Sequence, residues 1–238
     1  MRDRLVEQLE AELRDLATVE RAVHEKRYLK SDLVHLGTSV PDVRRVTLRA
    51  VKASLPFEHE ATVACVEALW SRGVHELRMA AVDVLIARVD LLSPADLPLI
   101  ELLLRESRTW ALVDGLAPSV VGPLLLAHAE VEASVKHWAH DPDFWLRRAA
   151  VLAYLLPMRR GEDVFQRFSA VADPLLEDRE FFVRKAIGWV LRERGRKLPD
   201  EVYSWLAPRR MRASGLTLRE ASKYLSEQQR ADLLAKPD

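Results

Sequence analysis

EFFVRKAIGWVLRERGR, residues 180–196, decides the fold. Val183, Ala186, Ile187, Val190 and Leu191 fall at i, i+3, i+4, i+7 and i+8 and form one apolar stripe of a helix. Upstream, Leu146, Ala149, Ala150 and Ala153 make a similar stripe, as do Leu77, Ala80, Ala81 and Val84. The strings ELRMAAVDVL (76–85), WLRRAAVLAY (145–154) and FVRKAIGWVL (182–191) overlay on one another. The first two begin 69 residues apart, close to twice the 37 that separate the last two. TWALVDGLAPSVV (109–121) lies in the long interval as a degenerate copy. A period of roughly 35–40 residues, each unit a pair of helices, predicts a HEAT-like solenoid.

No segment shows sustained alternation with β-branched enrichment, so no strand is expected. Helix starts are marked at Val40-Pro41-Asp42, Ser93-Pro94-Ala95-Asp96, Asp141-Pro142-Asp143 and Leu198-Pro199-Asp200. The connections between them are too short for an interdomain linker. The expectation is an all-α protein: a right-handed superhelical solenoid of about a dozen helices, one domain over residues 1–238, with terminal helices capping its ends.

The 238 residues are ordinary in apolar and charged content for a globular chain, enough for a sizeable core. The single cysteine, Cys65, excludes an intramolecular disulfide and fits a reducing compartment. Its neighbours Val63 and Val66 make it a core residue. The start, MRDRLVEQLEAEL, has no apolar core of a signal peptide, and no run of 18 uncharged apolar residues is present. A cytoplasmic chain outside any membrane is the expectation. With only 8 glycines and no Gly-rich phosphate loop, a nucleotide cofactor is not expected, nor any other cofactor. Lys and Arg total 36, Asp and Glu 36; this balance argues against nucleic-acid binding unless the cations gather on one face.

A second stripe bears on that question. Phe182, Lys185, Trp189 and Arg192 recur at i, i+3, i+7 and i+10, rotated from the apolar stripe. Trp145 and Arg148 repeat the pairing one unit earlier, and Trp110 and Asp114 lie one helical turn apart two units earlier. Rings interleaved with cations suit a surface that packs sugars or bases and holds phosphates. Such residues serve equally as core rings flanked by snorkelling cations, and spacing alone leaves both readings standing. His137, His140, Asp141 and Asp143 have the look of a metal cluster, yet they sit at a helix end where Asp caps and His favours the dipole; no metal is expected there. The basic runs 158–160, 194–197 and 208–212 nominate Arg192, Arg196, Arg209 and Arg210 for contacts to a phosphate backbone.

Five strings carry a family resemblance: YLKSDLVHLGTSVPDVRRV (28–46), ALWSRGVHELRMAAVDVL (68–85), RTWALVDGLAPSVVG (108–122), DFWLRRAAVLAYL (143–155) and EFFVRKAIGWVLRERGR (180–196). In order and spacing they resemble the signature blocks of the AlkD-like DNA alkylation repair glycosylases. The resemblance implies a HEAT-like repeat enzyme that excises 3-methyladenine and 7-methylguanine from duplex DNA. It assigns the surround of the lesion's sugar and phosphate to Trp110, Asp114, Arg148 and Trp189. Tyr28 matches an aromatic near the lesion, Phe181 and Phe182 an aromatic pair on the same surface. Thr38 and Ser39 fall in a turn that approaches the opposite strand. Lys185 joins them as a DNA contact. The family is further thought to work without flipping the base into a pocket, and some relatives act on bulky adducts. A monomer without an obligate protein partner is expected. A non-catalytic binder of branched or bent DNA and a protein-interaction scaffold are the competing readings of the same architecture.

Overall fold

The computed structural model describes residues 2–53 and 58–235. The chain forms two compact units, Met1–Leu116 and Ala117–Asp238. Among the described residues there is no strand; one isolated bridge joins Val34 to Val74. The all-helical reading is therefore borne out.

The first unit contains α1 (Arg2–Asp15), α2 (Val19–Leu29), α3 (Val40–Ala53), α4 (His59–Trp70), α5 (His75–Ala87), α6 (Leu97–Glu106) and α7 (Trp110–Leu116). Its centre is α5, which packs on α3, α4 and α7. Leu77, Ala80, Ala81, Val84 and Leu85, the apolar stripe of the repeat string, are fully buried there. The second unit contains α8 (Gly122–Ala127), α9 (Val131–Trp138), α10 (Phe144–Leu152), α11 (Leu155–Arg160), α12 (Phe165–Ala172), α13 (Phe181–Gly195), α14 (Pro199–Leu206), α15 (Gly215–Ala221) and α16 (Glu227–Leu234). Here α13 is central, packed on α10, α11, α14 and α15. The stripes of α10 and α13 are likewise fully buried.

The repeat is visible in hydrogen bonds as well as in packing. The third residue of each overlaid string is an arginine, and each donates to carbonyl oxygens at the end of a neighbouring segment. In the first unit Arg78 donates to the Trp70 and Glu106 carbonyls, which terminate α4 and α6. In the second, Arg147 donates to the Asp141 and Pro142 carbonyls and pairs with Asp178, while Arg184 donates to the Asp178 carbonyl. A fixed guanidinium fork satisfies helix-end oxygens that have no intrahelical partner.

The four expected helix starts are found. Val40 opens α3, and Ser93 and Asp96 form a capping box ahead of α6. Asp143 caps α10 through Trp145 N–H, and Pro199 opens α14. The run Trp110–Ala127, of mean hydropathy 1.5, is long and apolar enough to cross a membrane by length and composition. It carries Asp114, and 56 % of it is buried in the protein, as in a core helix. Ala117–Val121 within it is a π-helical turn. Pro118 lacks the N–H that an α-helical ladder requires, and the wider turn accommodates its ring.

Candidate active site

In the first unit the candidate residues assemble around the start of α7. Thr109 Oγ1 accepts from Ala111 N–H at 3.4 Å and caps the helix, so Trp110 projects from its first turn. Arg108 just before it has φ +50°, a left-handed conformation uncommon for a side chain of this size. Trp110 is half-buried, and the Tyr28 ring meets it edge-on at 5.8 Å with an interplanar angle of 86°. Tyr28 itself is 66 % exposed, so the pair presents aromatic surface to solvent. One turn further on, half-buried Asp114 lines a cleft of about 210 Å³ together with Val40, Arg44, Asp83 and Gly115.

Two features of that cleft were not singled out in the sequence. Asp83 sits on α5, buried, with Arg44 Nε 3.3 Å from its carboxylate. Burial pushes the Asp83 carboxyl above the usual carboxylate range, and the Arg44 guanidinium opposes that rise. The available signal was a lone acid inside the apolar run MAAVDVLIA (79–87). Gly115 brings α7 close to α5: a Cβ there would lie 2.8 Å from Val82 Cγ1.

The turn before α3 takes a different role from the one expected. Thr38 is 1 % exposed; its hydroxyl donates to the Leu13 carbonyl at 2.6 Å, and it belongs to the packing of α1. Thr38 is therefore withdrawn as a DNA contact. Ser39 is half-buried and caps α3, donating to Asp42 Oδ2 and accepting from Asp42 N–H. The Ser39 and Arg45 bonds hold the Asp42 carboxyl below its usual range, with Arg45 the larger influence. Leu36, Gly37 and Thr38 N–H groups all point to the buried Glu76 carboxylate.

In the second unit the aromatic residues gather. Phe144, Trp145 and Phe182 lie with centroids 4.4 and 5.1 Å apart along the series, and Phe181 meets Phe182 edge-on at 5.3 Å. Phe181 is 53 % exposed, with Lys185 Nζ 5.7 Å above its ring. Arg148, only 3 % exposed, lies under this cluster, 5.8 Å from the Phe182 ring, and donates to the Phe182 carbonyl. Of the two readings that spacing left standing for Trp145 and Arg148, the core one holds: both are buried against Phe182 at the start of α13. Trp189, half-buried, has the Arg159 guanidinium 5.6 Å above its ring.

The basic candidates are mostly engaged internally. Arg192 pairs with Glu220 at 2.5 Å and Arg209 with Asp173 at 2.5 Å. Arg210 donates to the Asp232 and Ala235 carbonyls. Arg196 is exposed, 5.0 Å over Tyr224 and 3.7 Å from Glu193. Free presentation to a phosphate backbone is thus corrected for Arg192, Arg209 and Arg210, whose forks complete tertiary contacts. In the His137–Asp143 segment, where no metal is expected, Asp141 Oδ1 accepts from Asp143 N–H and Asp143 caps α10, as the helix-end reading has it. A different trio, Glu25, His35 and Glu76, brings ligand atoms within 4.8 Å of one another among the described residues.

An all-helical protein of repeated, arginine-pinned helices, with an aspartate one turn from a partly exposed pair of rings, defines a class of helical repeat protein with a candidate catalytic carboxylate. The family model described as DNA alkylation repair enzyme matches residues 9–225, and the chain belongs to that family. DNA is accordingly its partner, and repair of alkylated DNA its general role. Among solved structures, a "Predicted DNA alkylation repair enzyme from Enterococcus faecalis" is similar with a TM-score of 0.78 at 23 % identity, over 89 % of this chain and 97 % of that one. AlkD2 from Streptococcus mutans gives 0.62 at 17 %, over 86 % and 99 %, and smu.31 from Streptococcus mutans UA159 gives 0.61 at 16 %, over 87 % and 98 %. At such identities the likeness is one of fold. No curated protein matches the chain.

Proposed function

We propose that the protein is a monofunctional DNA glycosylase that hydrolyses the N-glycosidic bond of cationic N3- and N7-alkylated purines in duplex DNA. The observation that carries this reading is Asp114, placed one turn beyond the Tyr28–Trp110 edge-on pair in a cleft open to solvent. An N3- or N7-alkylpurine already bears positive charge and departs neutral, so protonation by a general acid is unnecessary. The barrier lies in the oxocarbenium-like sugar, which a nearby carboxylate stabilises electrostatically while orienting a water. The electron-rich faces of Trp110 and Tyr28 favour the same cationic species.

On this reading Phe181, Phe182, Lys185 and Trp189 of the second unit are further DNA contacts, and Arg148 acts by holding the first turn of α13 in place. No nucleophilic amine takes part, so the product is an abasic site with an intact strand. The enzyme acts as a monomer. The test is incubation of purified protein with methylated duplex DNA, with free 7-methylguanine and 3-methyladenine measured alongside strand integrity. Release of both bases without strand cleavage supports the reading. No release, with binding to four-way junctions retained, assigns the protein instead to non-catalytic recognition of branched DNA.

A further inference from the structure

Helix α2 presents a problem of attachment. None of its residues is buried, yet it carries Tyr28, whose ring must sit against Trp110. Its N-terminal end is tied to the following turn: Thr18 N–H donates to the Gly37 carbonyl at 3.1 Å, and the two backbones approach too closely for a Cβ on Gly37. Its middle turn presents half-buried Glu25 toward His35 and Glu76.

His35 and Glu76 are both unusual. The two ring nitrogens of His35 are buried and neither has a hydrogen-bond partner. His35 is half-buried as a residue, and ring nitrogens shut off from water without a partner call for a ligand. Glu76 is 0 % exposed, and its carboxylate is fixed by the N–H groups of Leu36, Gly37 and Thr38. Those three bonds leave acceptor capacity on a carboxylate that offers about four lone-pair sites. Arg21 takes Oε1 of Glu25 at 2.7 Å, which leaves Oε2.

We propose that Glu25, His35 and Glu76 form a binding site for one divalent first-row transition-metal ion, with Zn²⁺ the best match, which straps α2 to residues 31–39 and to α5. One imidazole and two carboxylates, with water completing the shell, are a donor set for Zn²⁺ rather than for Ca²⁺ or Mg²⁺, which take oxygen alone. Ligand atoms around a tetrahedral ion stand about 3.4 Å apart. The trio lies within 4.8 Å, so a closure of little more than an ångström forms the site. A neutral His35 imidazole offers one ring-nitrogen lone pair to the ion. His75, stacked on it at 4.5 Å, fixes the plane of the ring. Tyr28 lies three residues beyond Glu25 on the same helix, so the strap secures the ring that meets Trp110. The site does not depend on the glycosylase reading.

The test uses the full chain, stripped with chelator and dialysed, and titrated with Zn²⁺ by calorimetry and with Co²⁺ as a visible probe. One ion per chain is expected, with a d–d band, a ring-nitrogen NMR shift at His35 and a raised melting temperature. Glu25→Gln and His35→Asn are each expected to weaken binding at least about tenfold and to abolish the melting shift. Glu76→Gln is avoided because that carboxylate caps the 36–38 turn. Absence of stoichiometric binding to wild type overturns the proposal. So does a wild-type complex in which the His35 ring signals do not move, or one unaffected by both substitutions, which would belong to surface histidines such as His24, His137 or His140.

Discussion

His75 and Glu76 are adjacent residues, and both act through partners that a linear reading does not supply. Glu76 serves backbone N–H groups nearly 40 residues upstream, so in HELRMAAVDVL it reads only as the flank of an apolar stripe. His75 is buried, and its pKa is lowered from 6.5 to about 3, first by burial and then by His35 and Arg78. The folded protein therefore holds it neutral while the unfolded chain protonates it below about pH 6.5. Its contribution is complete above that pH and is lost as pH falls toward about 3, with a slope of at most ~1.4 kcal/mol per pH unit. Urea unfolding at pH 7 and pH 5 is expected to show this loss, and His75→Phe, which keeps a stacked ring, is expected to reduce it. A wild-type stability that rises between pH 7 and pH 5 contradicts the assignment. Asp114 and Trp110, by contrast, were legible: an acid and a ring one turn apart sit at that spacing in the sequence, and the structure keeps them on one helix.

Helices were the most legible level because their signals are local. Apolar stripes at 3.6-residue spacing became the buried faces of α5, α10 and α13, and the Pro, Asp and Ser punctuation fell at real helix starts. Pairing of side chains between elements was not legible. Arg192 and Arg209 look like exposed cations in sequence, and only folding brings Glu220 and Asp173 to them. Thr38 likewise looks like a polar turn residue until α1 closes over it. Close helix contact gives a prediction at this scale. On α13, a Cβ at Gly188 would lie 2.6 Å from Glu220 Cβ and 3.0 Å from the Thr217 carbonyl, both of the α15 segment. Gly188→Ala is expected to destabilise the protein by about 1–3 kcal/mol through overpacking, read as a lower urea midpoint. An unchanged midpoint would show that α15 yields at no cost.

Across the whole chain, charge is balanced at 36 basic and 36 acidic residues; of the arginines nominated for DNA, Arg192 and Arg209 are paired with carboxylates and Arg210 is bonded to backbone carbonyls. Affinity for DNA should then depend little on counterion release. About two to four phosphate contacts are expected, giving a slope of log K against log salt of roughly −2 to −4 by fluorescence anisotropy. A slope near −8 would mean that the paired arginines leave their carboxylates when DNA binds. Catalysis, on this account, resides less in charge than in one carboxylate beside two rings. The most direct test is single-turnover release of 7-methylguanine by wild type and by Asp114→Asn, with DNA binding measured on both. The expected result is a fall of at least about 100-fold in release with binding unchanged. Equal release by the two proteins would contradict it.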